Sequence, residues 1–342
     1  MARTEPRKDQ AMEILAYGVQ ADERPLLEKA FAGRHSLRCL SVFLNRDTAP
    51  LAAGYPAVSS SVNAELDAAT LAVLAAGGTK LIAQRSTGFN NIDLDAAAGL
   101  GLTVARVSHY SPYAVAEHAW TLALAVNRRL TRAASRSREF DFRLDGLLGR
   151  DIHGMTVGVI GTGKIGECFA RIAAGFGTEL LGWDIAENPA CLDLGMTYTE
   201  LPELLTRADL VSLHVPLLPT THHLIDAAAL ARMKNDAILI NSSRGGLVDS
   251  AALVEVLRAG HLSGVGLDVY EEETGVFFTD RSIEGITDDT LARLVTFPQV
   301  LVTSHQAYFT RTAVGQIIDA TVRNIDDYAN GRTNGNTLVP RS

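Results

Sequence analysis

The chain of 342 residues has few cysteines, few aromatic residues and no long run of either apolar or basic residues, and each shortage closes off a class of protein. Its three cysteines, Cys39, Cys168 and Cys191, are an odd number with no C-x-x-C spacing. Neither a disulfide framework nor a cysteine-based zinc site is therefore expected, and a reducing cytoplasm is. Nowhere do about 18 apolar residues run together, and the polar start, residues 1–10, is not followed by the apolar core of a signal peptide, so no membrane span is expected. Asp and Glu number 39 against 31 Lys and Arg, a net charge of −8. No basic block offsets that balance, which argues against sequence-independent nucleic-acid binding. Arg128, Arg129, Arg132, Arg136 and Arg138 have the spacing of a solvated helix face. The end, Leu338-Val-Pro-Arg-Ser342, resembles part of a protease-tag site and reads equally well as native sequence.

What the chain does have is the composition of an ordinary globular protein, 47% hydrophobic and 20% charged, with length enough for two domains. Its organising stretch is Met155-Thr-Val-Gly-Val-Ile-Gly-Thr-Gly-Lys-Ile-Gly166. A β-branched strand runs there into a glycine turn and a helix, with Gly161, Gly163 and Gly166 in G-x-G-x-x-G spacing. The first glycine suits a tight turn, the second the approach of a pyrophosphate, and the third close helix packing. The next strand, Glu179 to Asp184, ends in a carboxylate where a ribose clamp belongs. Asp184 favours NAD over NADP, since Ile185-Ala-Glu-Asn188 offers no cation for an extra phosphate.

Before this unit, strands over 12–19, 57–62, 81–84 and 102–105 alternate with helices over 23–31 and 64–76, the rhythm of parallel pairing. An apolar helix from Ser111 to Leu130 is expected to be buried against its own domain or a partner subunit. After Met155, strands over 180–184, 210–214, 237–241, 265–269 and 300–303 bring the count to six. Six is what a complete doubly wound dinucleotide domain requires. The last helix, roughly 311–330, is placed with the first domain, which makes that domain discontinuous.

Arg244, Glu271, Glu272, Glu273 and His305 all follow strands of this second set. An arginine for an acid substrate, and a carboxylate that keeps a histidine protonated, suffice to reduce a 2-keto acid. Spacing alone leaves open which of the three glutamates partners His305. His214, His222 and His223 invite a metal reading, but adjacent residues such as His222 and His223 cannot both face one ion from a helix. No metal is expected.

Gly-Val-Ile-Gly-Thr-Gly-Lys-Ile-Gly, Asn241-Ser-Ser-Arg-Gly, Gly266-Leu-Asp-Val-Tyr-Glu-Glu-Glu273 and Ser304-His-Gln-Ala-Tyr308 together resemble the D-2-hydroxyacid dehydrogenases. The likeness runs over nearly all the chain from Val58. The long connection between Glu273 and His305, with Val276 to Ser282 and Asp288-Asp289, is similar to that of the D-lactate dehydrogenase branch. The resemblance implies an α/β fold of two Rossmann-like, doubly wound parallel-sheet domains with a cleft between them. The substrate domain would span 1–109 and 309–342, and the NAD domain 110–308.

It further implies Arg244 as the substrate-binding arginine, His305 as proton donor and Glu273 as its partner. Lys164, Ile165, Asp184, His214, Val215, Pro216, Thr221, Ser242, Ser243 and Asp268 would line the NAD site beside the glycines. Thr87 and Gly88 would hold the substrate carboxylate, with Tyr110 a pocket aromatic. The chain departs from the lactate pattern at Ser61, where an aromatic is usual, and at Tyr308, where Phe is. Two expectations compete there: a site for a keto acid larger than pyruvate, or one in which Ser61 points away or another aromatic, such as Tyr55 or Phe89, fills the gap. The remaining implications are a small 2-keto or 2-hydroxy acid as ligand and a homodimer, or a tetramer, joined through the helix after Ser111. The competing reading is a non-catalytic NAD-sensing scaffold or co-repressor of the same fold.

Overall fold

The computed structural model describes residues 11–341; the polar segment 1–10 and Ser342 lie outside the described residues. The described residues form two compact units, one of residues 11–111 with 310–341 and one of 112–309.

The first unit is built on strands β1 (Glu13–Ala16), β2 (Ser36–Cys39), β3 (Ala57–Ser60), β4 (Leu81–Gln84), β5 (Thr103–Ala105) and, from the far end of the chain, β13 (Thr337–Val339). Their order is β13-β5-β4-β3-β1-β2. The five strands before β13 run parallel, and β13 closes the β5 edge antiparallel. β3 and β4 are buried throughout, as parallel strands covered on both faces must be. Leu15, Val58, Leu71, Leu74, Ile82 and Val104 form the centre of this core. Arg85, immediately after β4, is 5% exposed. It is satisfied by Glu23 Oε1, Ser59 and the Tyr17 carbonyl, a network that locks the ends of three strands.

The second unit contains β6 (Thr156–Ile160), β7 (Glu179–Trp183), β8 (Thr197–Tyr198), β9 (Leu210–Leu213), β10 (Ile238–Asn241), β11 (Gly264–Leu267) and β12 (Val300–Val302), in the order β12-β11-β10-β9-β6-β7-β8. β6 pairs with β7 on one side and β9 on the other, so the chain reverses its direction of travel at β6, where α/β folds bind ligands. The strand missing from the sequence expectation of six is β8, whose two residues are too short to show a period. The helix Pro112–Asn127 packs on its own unit, not away from it. Ala116, Ala119, Trp120, Leu122 and Val126 join the core with Phe169 and Ile240, and a Cβ at Gly266 would lie 2.9 Å from Leu122 Cβ.

Candidate active site

Register decides which side chains share the edge at the strand ends of the second unit. Ile160 is opposite Trp183 and Leu213, Leu213 opposite Asn241, Asn241 opposite Leu267, and Leu267 opposite Val302. The next residues, Gly161, Asp184, His214, Ser242, Asp268 and Thr303, therefore stand in one row. Backbone bonds continue the ladder one step beyond the strands, from Gly161 N–H to the Trp183 carbonyl and from His214 N–H to that of Ile160.

The glycine loop has little room for side chains at two of its three positions. Gly161 has φ +93°, and a Cβ there would meet the His214 and Val215 backbone within 2.8 Å. A Cβ at Gly166 would lie 1.9 Å from the Gly161 carbonyl oxygen, so glycine is what lets the helix Lys164–Gly175 come down on the turn. Gly163 caps that helix, and a Cβ there meets nothing within 4 Å. An open helix N-terminus with free amides is where a pyrophosphate fits. Lys164 is exposed and Ile165 half-buried beside it. Asp184 is half-buried and accepts from Thr162 N–H at 2.6 Å and Ile185 N–H at 2.7 Å. The carboxylate thus caps its turn, and its remaining lone pairs can still accept from a ribose diol. Tyr198, at the end of β8, bonds the Thr162 hydroxyl and steadies the same corner.

The remaining residues expected at the cofactor divide between edge and support. Val215 is buried and Pro216 exposed; Thr221 Oγ1 donates to the Pro216 carbonyl, and Ser243 Oγ to that of Val215. The Ser242 hydroxyl is buried without a partner among the described residues. Burial pushes the His214 imidazole down to about 3, and its ring lies 4.9 Å from Phe169 and bonds the Ser212 hydroxyl. It is a neutral side chain against the core. Asp268 differs from its expected place along the cofactor: it is 0% exposed, and its carboxylate faces inward. It accepts from Thr303 Oγ1, Gln306 N–H and Ala307 N–H, and lies 3.2 Å from His118 Nε2. Burial would raise its pKa, but the bonds from His118 and Thr303 and the His118 charge outweigh that and hold it low. His118 was not legible as a site residue because it sits in an apolar helix; its side chain also reaches Thr303 Oγ1 at 3.1 Å.

The three consecutive glutamates separate cleanly. Glu273 Oε1 lies 2.7 Å from His305 Nδ1, and its other oxygen accepts from Tyr270 N–H. Glu271 instead bonds His223, and Glu272 is exposed. His305 has φ +52°, a left-handed conformation that costs a residue with a Cβ about 1 kcal/mol, and its N–H donates to the Asp268 carbonyl at 2.6 Å. With Nδ1 donating to the carboxylate, Nε2 is left to face a substrate. The Phe278 ring stands 6.3 Å from the imidazole, and Tyr270 Oη donates to Asp288, which anchors the long connection. Arg244 is half-buried beside this loop, because a Cβ at Gly245 would lie 2.0 Å from the Tyr270 carbonyl carbon. Tyr308 follows, edge-on to Phe309 at 5.8 Å.

In the first unit, the loop after β4 holds its carbonyls inward: Arg106 donates to that of Thr87 and Ser86 Oγ to that of Gly88. Tyr110 is half-buried near the end of this part of the chain. Ser61 lies one residue past the end of β3, and its hydroxyl has no partner among the described residues. A Cβ at Gly18 would be 2.8 Å from Ser61 Oγ and 2.7 Å from Phe43 Cδ1. The Phe43 ring and Ser61 therefore crowd the same glycine. Two arginines expected on a solvated face are structural as well: Arg129 donates to the Ser263 carbonyl, and Arg136 pairs with Asp141.

Residues 120–307 match the D-isomer specific 2-hydroxyacid dehydrogenase, NAD binding domain. The chain is 46% identical over 330 residues to 2-hydroxyacid dehydrogenase homolog 1 of Schizosaccharomyces pombe, covering 96% of this chain and 99% of that one. Among solved structures it resembles the pyruvate reductase of Chlamydomonas reinhardtii, with TM-score 0.91, 41% identity and coverage of 96% and 99%. It also resembles the D-lactate dehydrogenase of Aquifex aeolicus complexed with NAD and lactic acid, with TM-score 0.84, 32% identity and coverage of 96% and 100%. The chain belongs to the D-isomer specific 2-hydroxyacid dehydrogenase family and is an NAD-dependent oxidoreductase.

Proposed function

We propose that the protein reduces pyruvate, and more slowly its short aliphatic homologues, to the D-2-hydroxy acid, with His305 as proton donor, Glu273 as its partner and Arg244 as the anchor for substrate carboxylate. The observation that carries this is the 2.7 Å contact of His305 Nδ1 with Glu273. In this reading the carboxylate accepts from Nδ1–H and leaves Nε2–H for the substrate. NADH, when held at the glycine loop, would supply the hydride that C2 takes up. His305 gives its Nε2 proton to the carbonyl oxygen and ends neutral, while Glu273 stays a carboxylate throughout. Arg244 presents a planar fork to a carboxylate. The Thr87 and Gly88 amides, which make no hydrogen bond among the described residues, suit the same role. The first unit is in this reading the substrate domain and the second the NAD domain. Lys164, Ile165 and the glycines would hold the pyrophosphate, and Asp184 the ribose.

Pyruvate is favoured over a larger acid because the Phe43 ring crowds the same glycine as Ser61. The test is NADH oxidation, followed by absorbance, with pyruvate, 2-ketobutyrate and phenylpyruvate. The reading requires kcat/KM to fall in that order, and phenylpyruvate ranked first would overturn it.

The second part of the proposal is a homodimer in the cytoplasm. Three unpaired thiols fit a reducing compartment, and among the described residues no helix is long and apolar enough to cross a membrane. Phe140, Phe142, Leu144 and Leu148 are 84%, 72%, 80% and 91% exposed within one short segment. Clustering of this kind marks an association surface. Because the helix after Ser111 is committed to its own unit, this segment takes the role expected of it. Light scattering on the eluting protein checks the mass, and Phe140→Ser with Leu148→Ser should shift it to the monomer.

A further inference from the structure

We propose that His222, His223 and Glu271 form a binding site for one transition-metal ion of the zinc class, and that an ion held there slows turnover through the loop that carries Glu273. The two histidines are in a turn and not in a helix, which removes the geometric objection to their sharing a ligand. His222 N–H donates to the Leu218 carbonyl and His223 N–H to that of Gly246. His223 has φ +51°, a left-handed step that folds its ring back along its neighbour. The rings stack at 4.0 Å with an interplanar angle of 25°. Both Nε2 atoms then face one carboxylate, at 2.5 Å for His223 and 3.9 Å for His222, and the three ligand atoms all lie within 4.8 Å of one another.

Bonds of about 2.0–2.2 Å in a tetrahedral site place neighbouring ligand atoms roughly 3.3 Å apart. The observed separations bracket that value; because the rings are stacked, an ion also requires the 55% exposed His222 side chain to turn out of the stack so that its Nε2 lone pair converges with that of His223. Two imidazoles and a carboxylate are a ligand set for a borderline metal and leave a fourth position for water. The His222 side chain is 55% exposed, which gives an entry path. It makes no other hydrogen bond among the described residues, so it has no evident structural duty.

The effect on turnover rests on the reading of Glu273 given above. Glu271 is two residues before Glu273, and its backbone is pressed against Gly245, next to Arg244. Drawing the Glu271 carboxylate toward His222 therefore displaces the segment that presents Glu273 to His305. A misplacement of about 1 Å in such a constellation is enough to cost up to roughly a hundredfold in rate.

The experiment is a titration of the metal-stripped full chain with zinc against a chromophoric chelator, repeated with cobalt for its tetrahedral absorption bands and paired with rate measurements. The wild type should bind one zinc ion per chain and lose rate, with recovery on adding a chelator. His222→Ala should bind roughly tenfold or more weakly and keep the full metal-free rate. No saturable binding, or equal affinity in His222→Ala, overturns the site. Binding without any change in rate overturns the link to Glu273 and leaves the proposed reaction itself intact.

Discussion

The carbonyl of Asp268 accepts the His305 N–H at 2.6 Å, while the Asp268 carboxylate takes the N–H groups of Gln306 and Ala307. One buried residue thus fixes three successive amides of the loop that holds the imidazole, including the left-handed step at His305 itself. Its free carboxylate oxygen capacity is used by Thr303 and His118.

Asp268→Asn should be both slower and less stable. An amide puts a donor where only donors arrive, so one of the buried N–H groups or His118 loses its acceptor, at a cost of about 3 kcal/mol. Because the folded-state pKa of Asp268 is lowered, its contribution is complete above the unfolded value near ~4 and is lost as pH falls through the lower folded value. Denaturant unfolding followed from pH 6 down through that window should therefore show a steeper loss for the wild type than for the variant. Equal slopes would mean that the carboxylate is not held ionised by these partners.

His118→Ala tests whether that support reaches the chemistry. Without His118 the Asp268 carboxylate keeps its backbone donors, so the fold should survive while the His305 loop loosens. We expect kcat to fall by about tenfold, with the KM for NADH little changed. A KM effect alone would assign His118 to cofactor binding.

Replacing Asp184 with Ser should narrow the preference for NADH over NADPH by roughly tenfold, about 1.4 kcal/mol, because a negative charge beside the extra phosphate is removed. The same change deletes the cap on Thr162 and Ile185 and should lower stability by about 1 kcal/mol. Ratios of kcat/KM for the two cofactors decide the first point; an unchanged ratio would place the selectivity elsewhere.

Ser61→Phe should cost about 1–3 kcal/mol by overpacking against Phe43, and Phe43→Ala should relieve most of that cost. Two residues that crowd one glycine share space, so the double mutant is expected to be non-additive. Additive denaturant stabilities would show that the two side chains do not compete.

Much of this arrangement was legible in the sequence because parallel strands put their carboxyl ends on one edge. Arg244, Glu273 and His305 each follow a strand of the second unit, and register did the rest. The glycine spacing was legible for a similar reason, since the close approaches at Gly161 and Gly166 admit no side chain. What stayed hidden depends on contacts between distant residues or on single dihedrals. β2, with exposed alternate residues, β8, with two residues, and β13, which pairs antiparallel across the chain's ends, carry no clear period. Which glutamate meets His305 is set by the turn after Tyr270 and not by spacing. Phe43 and Ser61 crowd one glycine only through the fold of the first sheet, and the shared direction of His222 and His223 comes from one positive φ. His118 has the sequence context of a core helix and shows its role only through Asp268.

The most direct test of the account is the pH dependence of pyruvate reduction in the wild type and in Glu273→Gln. Reduction needs the His305 imidazolium, and Glu273 is the carboxylate in contact with it. Loss of that charge should lower the rate and move the alkaline limb of kcat/KM to lower pH. His305→Gln should remove nearly all activity while NADH still binds, as read by its fluorescence. An alkaline limb that stays in place in Glu273→Gln, at undiminished rate, would contradict the assignment of the proton donor and its partner.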